Sequence, residues 1–161
     1  DAEFYLAKMY HGGLGATQNY TKALKWYRLA AEQGNETTQF MLGNMYKSGE
    51  GMPQNYAEAV KWYRLAAEQG NAGAQIFLGI MYNNGEGVPQ DYAEAMKWYR
   101  LAAEQGSGSA SLYLGQMYFD GEGVPKNDDK ALKFLKSAAK TSDSIVQSNI
   151  GAMYAIGYGV P

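Results

Sequence analysis

A sixteen-residue phrase, D-Y-A-E-A-M-K-W-Y-R-L-A-A-E-Q-G, occupies Asp91–Gly106. Nearly the same phrase occupies Asn55–Gly70 and Asn19–Gly34, and a worn fourth copy runs Asn127–Ser142. Trp26, Trp62 and Trp98 stand 36 residues apart, with Phe134 next in register. A fixed period of this length restricts the chain to a stacked repeat architecture, because one copy alone cannot bury its apolar face.

Each period carries two helical patterns. In Tyr56–Gln69, here the B helix, Tyr56, Ala59, Tyr63 and Ala66 form one apolar stripe at helical spacing, flanked by Trp62 and Ala67. Trp62 is therefore expected to be largely buried. Ala57, Lys61, Arg64 and Glu68 fall on the opposite face and are expected to meet water. Asn55 stands at the N-cap, and Asp91 with Glu94 reads as a capping box in the next copy. Gly70 supplies the left-handed residue that ends the helix. In Ala74–Asn84, the A helix, the spacing of Ala74, Leu78, Met81, Tyr82 and Gly85 again gives one buried face. Gly79 costs about 1 kcal/mol relative to alanine inside a helix. It recurs as Gly43, Gly115 and Gly151, which predicts close contact with a facing helix. The connector is G-E-G-M-P at Gly49–Pro53 and G-E-G-V-P at residues 85–89 and 121–125, where glycine permits positive φ and proline stops a helix. Helices are predicted at 2–11, 19–33, 36–47, 55–69, 72–83, 91–105, 108–119, 127–140 and 144–155, without strands. The whole of 1–161 reads as one array of about four and a half repeats, with B-helix copies at 19–34, 55–70, 91–106 and 127–142.

Composition narrows the function. A net charge of −2 gives no reason to expect nucleic acid or an anionic membrane surface. The absence of cysteine excludes disulfides and thiolate metal sites. No apolar run approaches the roughly 18 residues that span a bilayer. The chain opens on Asp1 without a visible signal peptide, so it reads as a fragment or mature piece of a longer array.

The pattern A-x-x-x-L-G-x-M-Y-x-x-G-x-G-V-P-x-D-Y-x-x-A-x-x-W-Y-x-x-A-A-x-x-G, matched in full by residues 74–106, resembles the bacterial form of the Sel-one-like repeat, a relative of the tetratricopeptide repeat. The resemblance implies an all-α, right-handed α/α superhelix of antiparallel helix pairs, and a role as adaptor or scaffold for other proteins. Departures gather at the ends: Ala7 and Thr17 replace glycine and proline in the first copy, and Phe134, Leu135 and Ser142 replace Trp, Tyr and Gly in the last. The cysteine-rich branch of the family is not what the chain resembles. A bacterial origin is implied, with periplasmic, secreted and cytoplasmic compartments all open.

No catalytic constellation assembles from these residues. His11, the lone histidine, has no cysteine or carboxylate at metal-ligand spacing and no serine nearby, so it is assigned to a surface or groove. The glycine-rich connectors lack the lysine of a phosphate-binding loop and follow no strand. Glu50, Glu86 and Glu122 line one edge, where a solvated rim is the ordinary reading and weak cation binding the other. No enzyme activity, cofactor or metal is expected; a hydrolase is the distant alternative.

What differs between copies points to binding. With the A-helix core centred on Thr38, Leu42 and Met45, the residues at 40, 44 and 47 project from the opposite side. Their register equivalents form a stripe: Phe4, Lys8, His11; Phe40, Asn44, Lys47; Ile76, Ile80, Asn83; Leu112, Gln116, Phe119; Ser148, Ala152, Ala155. In the related superhelices A helices line the concave side, so the stripe reads as the wall of a groove for a partner protein or peptide. For Phe40, Ile76 and Leu112, sealing of repeat against repeat is an equal reading. The other functional reading is end-to-end self-association, since the last A helix around Ile145–Ile156 would expose apolar surface.

Overall fold

The structure, a computed structural model, describes residues 2–141 and 144–155. Among them the chain is all-α: α1 Ala2–Gly12, α2 Tyr20–Glu32, α3 Glu36–Ser48, α4 Tyr56–Glu68, α5 Ala72–Asn84, α6 Tyr92–Glu104, α7 Gly108–Asp120, α8 Asp128–Ala138 and α9 Ser144–Ala155. Odd-numbered helices are A helices and even-numbered ones B helices. Each packs on its chain neighbours, so the pairs stack into a superhelical array. Predicted boundaries hold to a residue or two.

Local chemistry sets those boundaries. The side chains of Asn19, Asn55, Asp91 and Asn127 cap the B helices from extended backbone, each accepting an N–H from the first turn. The capping box at Asp91 is only half formed. Glu94 turns away to Lys97, 3.1 Å off, because the Asp91 N–H already donates to the Tyr82 carbonyl at 2.9 Å. The A helices end on left-handed Gly49, Gly85 and Gly121. Gly87, at φ +73°, has a second reason to be glycine: a Cβ there would stand 2.5 Å from the Tyr56 carbonyl carbon. Each connector thus lies on the first turn of the preceding B helix.

The core is a ladder. Tyr27, Tyr63 and Tyr99 from the B helices are fully buried, together with Leu42, Leu78, Leu114, Met45, Met81 and a row of alanines. Gly43 and Gly79 lie beneath Tyr63 and Tyr99, and Gly115 beneath Leu135, which bears out the expected close contact. Gly151 has open space beside it. Between repeats, buried Gln75 donates to the Ala67 carbonyl and accepts from Gln105 at 2.8 Å; Gln39 and Gln69 repeat the link. Ser111 and Thr141 hold these places in the fourth copy, where the link ends.

Two face assignments need correction. Trp98 is buried, but Trp26 and Trp62 are only half-buried. The residue after each tryptophan shares the meridian of the alanines, so the tyrosine takes the centre and the indole packs at its edge. Arg64 does not stand in water: it is half-buried and its guanidinium donates to the Tyr82 hydroxyl, as Arg28 does to Tyr46 and Arg100 to Tyr118. Its long stem reaches the seam between helices that the shorter reach of a helical-wheel projection leaves out. Lys61 and Glu68 are exposed as expected. On α9, Val146 and Ile150 are buried against Leu112, Leu135 and Ala138. The side chains at 145 and 152, and Ile156, lie outside the described residues.

Candidate interaction surface

The variable A-helix positions do not behave alike. On α1, Lys8 is exposed with its ammonium 5.6 Å from the Phe4 ring centre. His11 is half-buried, its Nε2 2.8 Å from a Glu50 carboxylate oxygen and its ring edge-on to Tyr20 and Tyr27. On α3, Phe40 leans on Tyr63 and Phe77, and Asn44 accepts a hydrogen bond from the Tyr63 hydroxyl at 2.7 Å. Lys47 sits 4.9 Å over the Phe77 ring.

On α5, Ile76 and Asn83 are half-buried, and half-buried Ile80 packs against the cluster of Ala95, Tyr99 and Met117. On α7, Gln116 is exposed, and Phe119 is half-buried with Lys126 4.4 Å over its ring. Leu112 is 7% exposed and lies in the core with Val146 and Ile150, so it packs repeat on repeat.

The structure gathers these residues into two depressions. One, of about 280 Å³, is lined by Asn44, Lys47, Ser48, Glu50, Gln54, Tyr56 and Phe77. The other, of about 230 Å³, is lined by Asn83, Tyr99, Tyr113, Gln116, Met117, Asp120 and Glu122. Lys47 and Asn83, and likewise Phe77 and Tyr113, are one period apart. Both depressions thus lie between successive A helices, α3 with α5 and α5 with α7, and share these two register positions.

Phe77 and Tyr113 were not in the predicted stripe. They stack on the core tyrosines, Phe77 on Tyr63 at 5.5 Å and Tyr113 on Tyr99 at 4.8 Å. Their position varies between copies as Met41, Phe77 and Tyr113, so the same criterion of variation selects them once the stripe is widened by one residue.

Burial, and then the nearby Glu50 carboxylate, raises the Tyr27 hydroxyl to about 12. Burial raises Tyr63, Tyr99 and Tyr113 as well, and Tyr113 and Glu122 add to the effect at Tyr99. The Tyr99 and Tyr113 hydroxyls at the second depression are thus held protonated. Among the described residues no group of three or more His, Cys, Asp or Glu side chains gathers as metal ligands. No helix of the described residues is long and apolar enough to cross a membrane.

A third cleft, of about 290 Å³, lies between α6, α7 and α8 and is lined by Arg100, Ser111, Phe134 and Ser137 among others. It opens where the worn fourth copy puts Phe134 and Ser137 in the register of Trp98 and Leu101.

The Sel1 repeat family model matches residues 1–35, 38–71, 72–107 and 108–141. Among solved structures, the chain is similar to a protective antigen of uropathogenic Escherichia coli strains displaying an SLR fold. That match has 41% identity and a TM-score of 0.91, covering 99% of this chain and 34% of the antigen. A Sel1 repeat protein from Oxalobacter formigenes is 39% identical with a TM-score of 0.89, covering 99% of this chain and 66% of that one. The chain thus spans about a third of the first relative's length and just under two thirds of the second's. Helicobacter pylori cysteine rich protein B, 23% identical with a TM-score of 0.63 over 82% of this chain and 95% of that one, shares the fold. No curated protein matches the chain.

Proposed function

The chain belongs to the Sel1 repeat family, and from that premise we propose that it is an adaptor module that takes a segment of a partner protein along the face of its A helices. Sel1 repeats mediate protein–protein interactions, and proteins built from them are typically non-catalytic scaffolds. No reaction is assigned to this chain.

The observation that supports the A-helix face is the pair of depressions between successive A helices, floored by aromatic rings and rimmed by amides and charges. Two such sites along the array suit an extended ligand. The rings supply apolar contact at low entropic cost, and Asn44, Asn83 and Gln116 offer donors and acceptors for a peptide backbone.

Affinity capture with the intact chain, followed by binding measurements on the purified captured protein, tests this reading. Substitutions that fill the second depression are expected to weaken that binding, and substitutions on the outer B-helix face to leave it alone. Light scattering across a concentration series shows whether the captured species is a second copy.

A further inference from the structure

The four register positions 44, 47, 48 and 50 border the first depression, and their formal charge changes steadily along the array. With histidine neutral, the first copy carries +1 from Lys8 and the second 0, Lys47 offsetting Glu50. The third carries −1 from Glu86 and the fourth −2 from Asp120 and Glu122. The surface is thus polarised from α1 to α7 although the whole chain has a net charge of only −2. At the acidic end the nearby cation Lys126 is engaged by the Phe119 ring and lies 3.8 Å from Asp128.

A second observation marks the positive end. The Tyr63 hydroxyl donates to Asn44, but the register equivalent of Asn44 in the first copy is Lys8, whose ammonium has no lone pair. Tyr27 is 0% exposed and its hydroxyl has no hydrogen-bond partner among the described residues. Where the second copy sets an amide acceptor against its core tyrosine, the first sets the exposed ammonium of Lys8, and the Tyr27 hydroxyl stays enclosed in the protein.

We propose that the A-helix face takes a polypeptide segment of opposite charge order, acidic where it crosses α1 and α3 and basic where it crosses α5 and α7. This rests on the groove reading above and adds an orientation to it. At physiological salt the Debye length is about 8 Å, so each end is sensed locally and the ligand's charges must lie in order along it. Charge order then selects the partner and fixes its direction.

Two synthetic peptides of one composition and about 14 residues, long enough to cross four helices, test the proposal. In one, Glu and Lys are segregated into blocks at opposite ends; in the other they alternate. Fluorescence anisotropy at low salt is expected to show the block peptide binding about tenfold tighter, the advantage closing near 1 M salt. A nitroxide on its acidic end should broaden amide signals of α1 and α3, and one on its basic end those of α5 and α7. Lys8→Glu with Lys47→Glu should abolish the preference and leave the melting curve unchanged.

Equal affinities on the A helices, no binding of either peptide, or the reverse order of broadening overturns the charge order and leaves the groove reading standing. Broadening confined to α2, α4 and α6 overturns both.

Discussion

Gly79 lies directly beneath the Tyr99 ring: a Cβ added to Gly79 would stand 2.5 Å from Tyr99 Cε1. Tyr99 is held in place by its stack on Tyr113 at 4.8 Å. Gly79→Ala would gain about 1 kcal/mol of helix propensity. Overpacking of a closed core costs about 1–3 kcal/mol. The substitution is therefore expected to destabilise the array in urea titration, and Gly79→Leu more so. A rise in stability for either would show that the ring yields.

The burial of the tyrosine row orders the next pair of variants. Tyr99→Ala removes a fully buried ring and is expected to cost about 3–5 kcal/mol. Trp62→Ala, at a half-buried position, should cost less, although tryptophan is the larger side chain. Denaturation of the two variants side by side checks the order, and a larger loss at Trp62 would put the centre of the core back at the indole.

The period, the nine helices of the described residues and most of their buried face were legible in the sequence because packing repeats with the residues that satisfy it. Local chemistry misled where a long or ambivalent side chain had a tertiary partner. Arg64 sits on the polar side of its helix, yet it reaches the hydroxyl of Tyr82, 18 residues on. Glu94 has capping-box spacing, but the carbonyl it would have to displace belongs to Tyr82, in another helix. The candidate surface, as the two depressions outline it, was half legible for the same reason. Variation between copies marks Asn44, Lys47, Asn83 and Gln116, while the helical pattern places Phe77 and Tyr113 on neither face and only their stacking on Tyr63 and Tyr99 locates them.

Alkaline stability follows from the buried hydroxyls. Unfolded tyrosine titrates near 10. Burial lifts Tyr27 to about 12 and raises Tyr63 and Tyr99 too. A raised folded value means that the native state holds protons that the unfolded state releases. The stabilising contribution is whole below pH 10 and is lost as pH rises through the folded values. Urea midpoints should be flat from pH 8 to 9.5 and fall progressively above 10, and Tyr99→Phe, which removes one buried hydroxyl, should lessen the fall. An equally steep fall in that variant would place this hydroxyl in water.

Restoring the worn fourth copy should stabilise the chain. Phe134 stacks on Tyr118 at 5.7 Å and lines the cleft beside Ser111 and Ser137, whereas its larger counterpart Trp98 is buried. Phe134→Trp is expected to add about 0.5–1 kcal/mol by filling it. Thermal melts would show the gain; a loss would mean that the indole cannot keep the stack on Tyr118.

The proposed groove is best tested away from the core. Ile80 packs against Tyr99 and Met117, so a charge at that position would harm the fold and the binding together. Asn83 and exposed Gln116 line the second depression without filling the core, and Asn83→Arg with Gln116→Arg would occupy it. This pair should leave the melting temperature unchanged and weaken the captured partner by about 2 kcal/mol or more, the scale of a binding hot spot. The control must avoid Arg64, which holds Tyr82. Lys61→Glu with Glu68→Lys keeps the net charge and alters only the exposed B-helix face, apart from the pair of Lys61 with Glu58. Such exposed pairs contribute little, so neither stability nor affinity should move. If the outer pair abolishes binding and the inner pair leaves it intact, the partner sits on the B helices, and the two depressions are by-products of stacking.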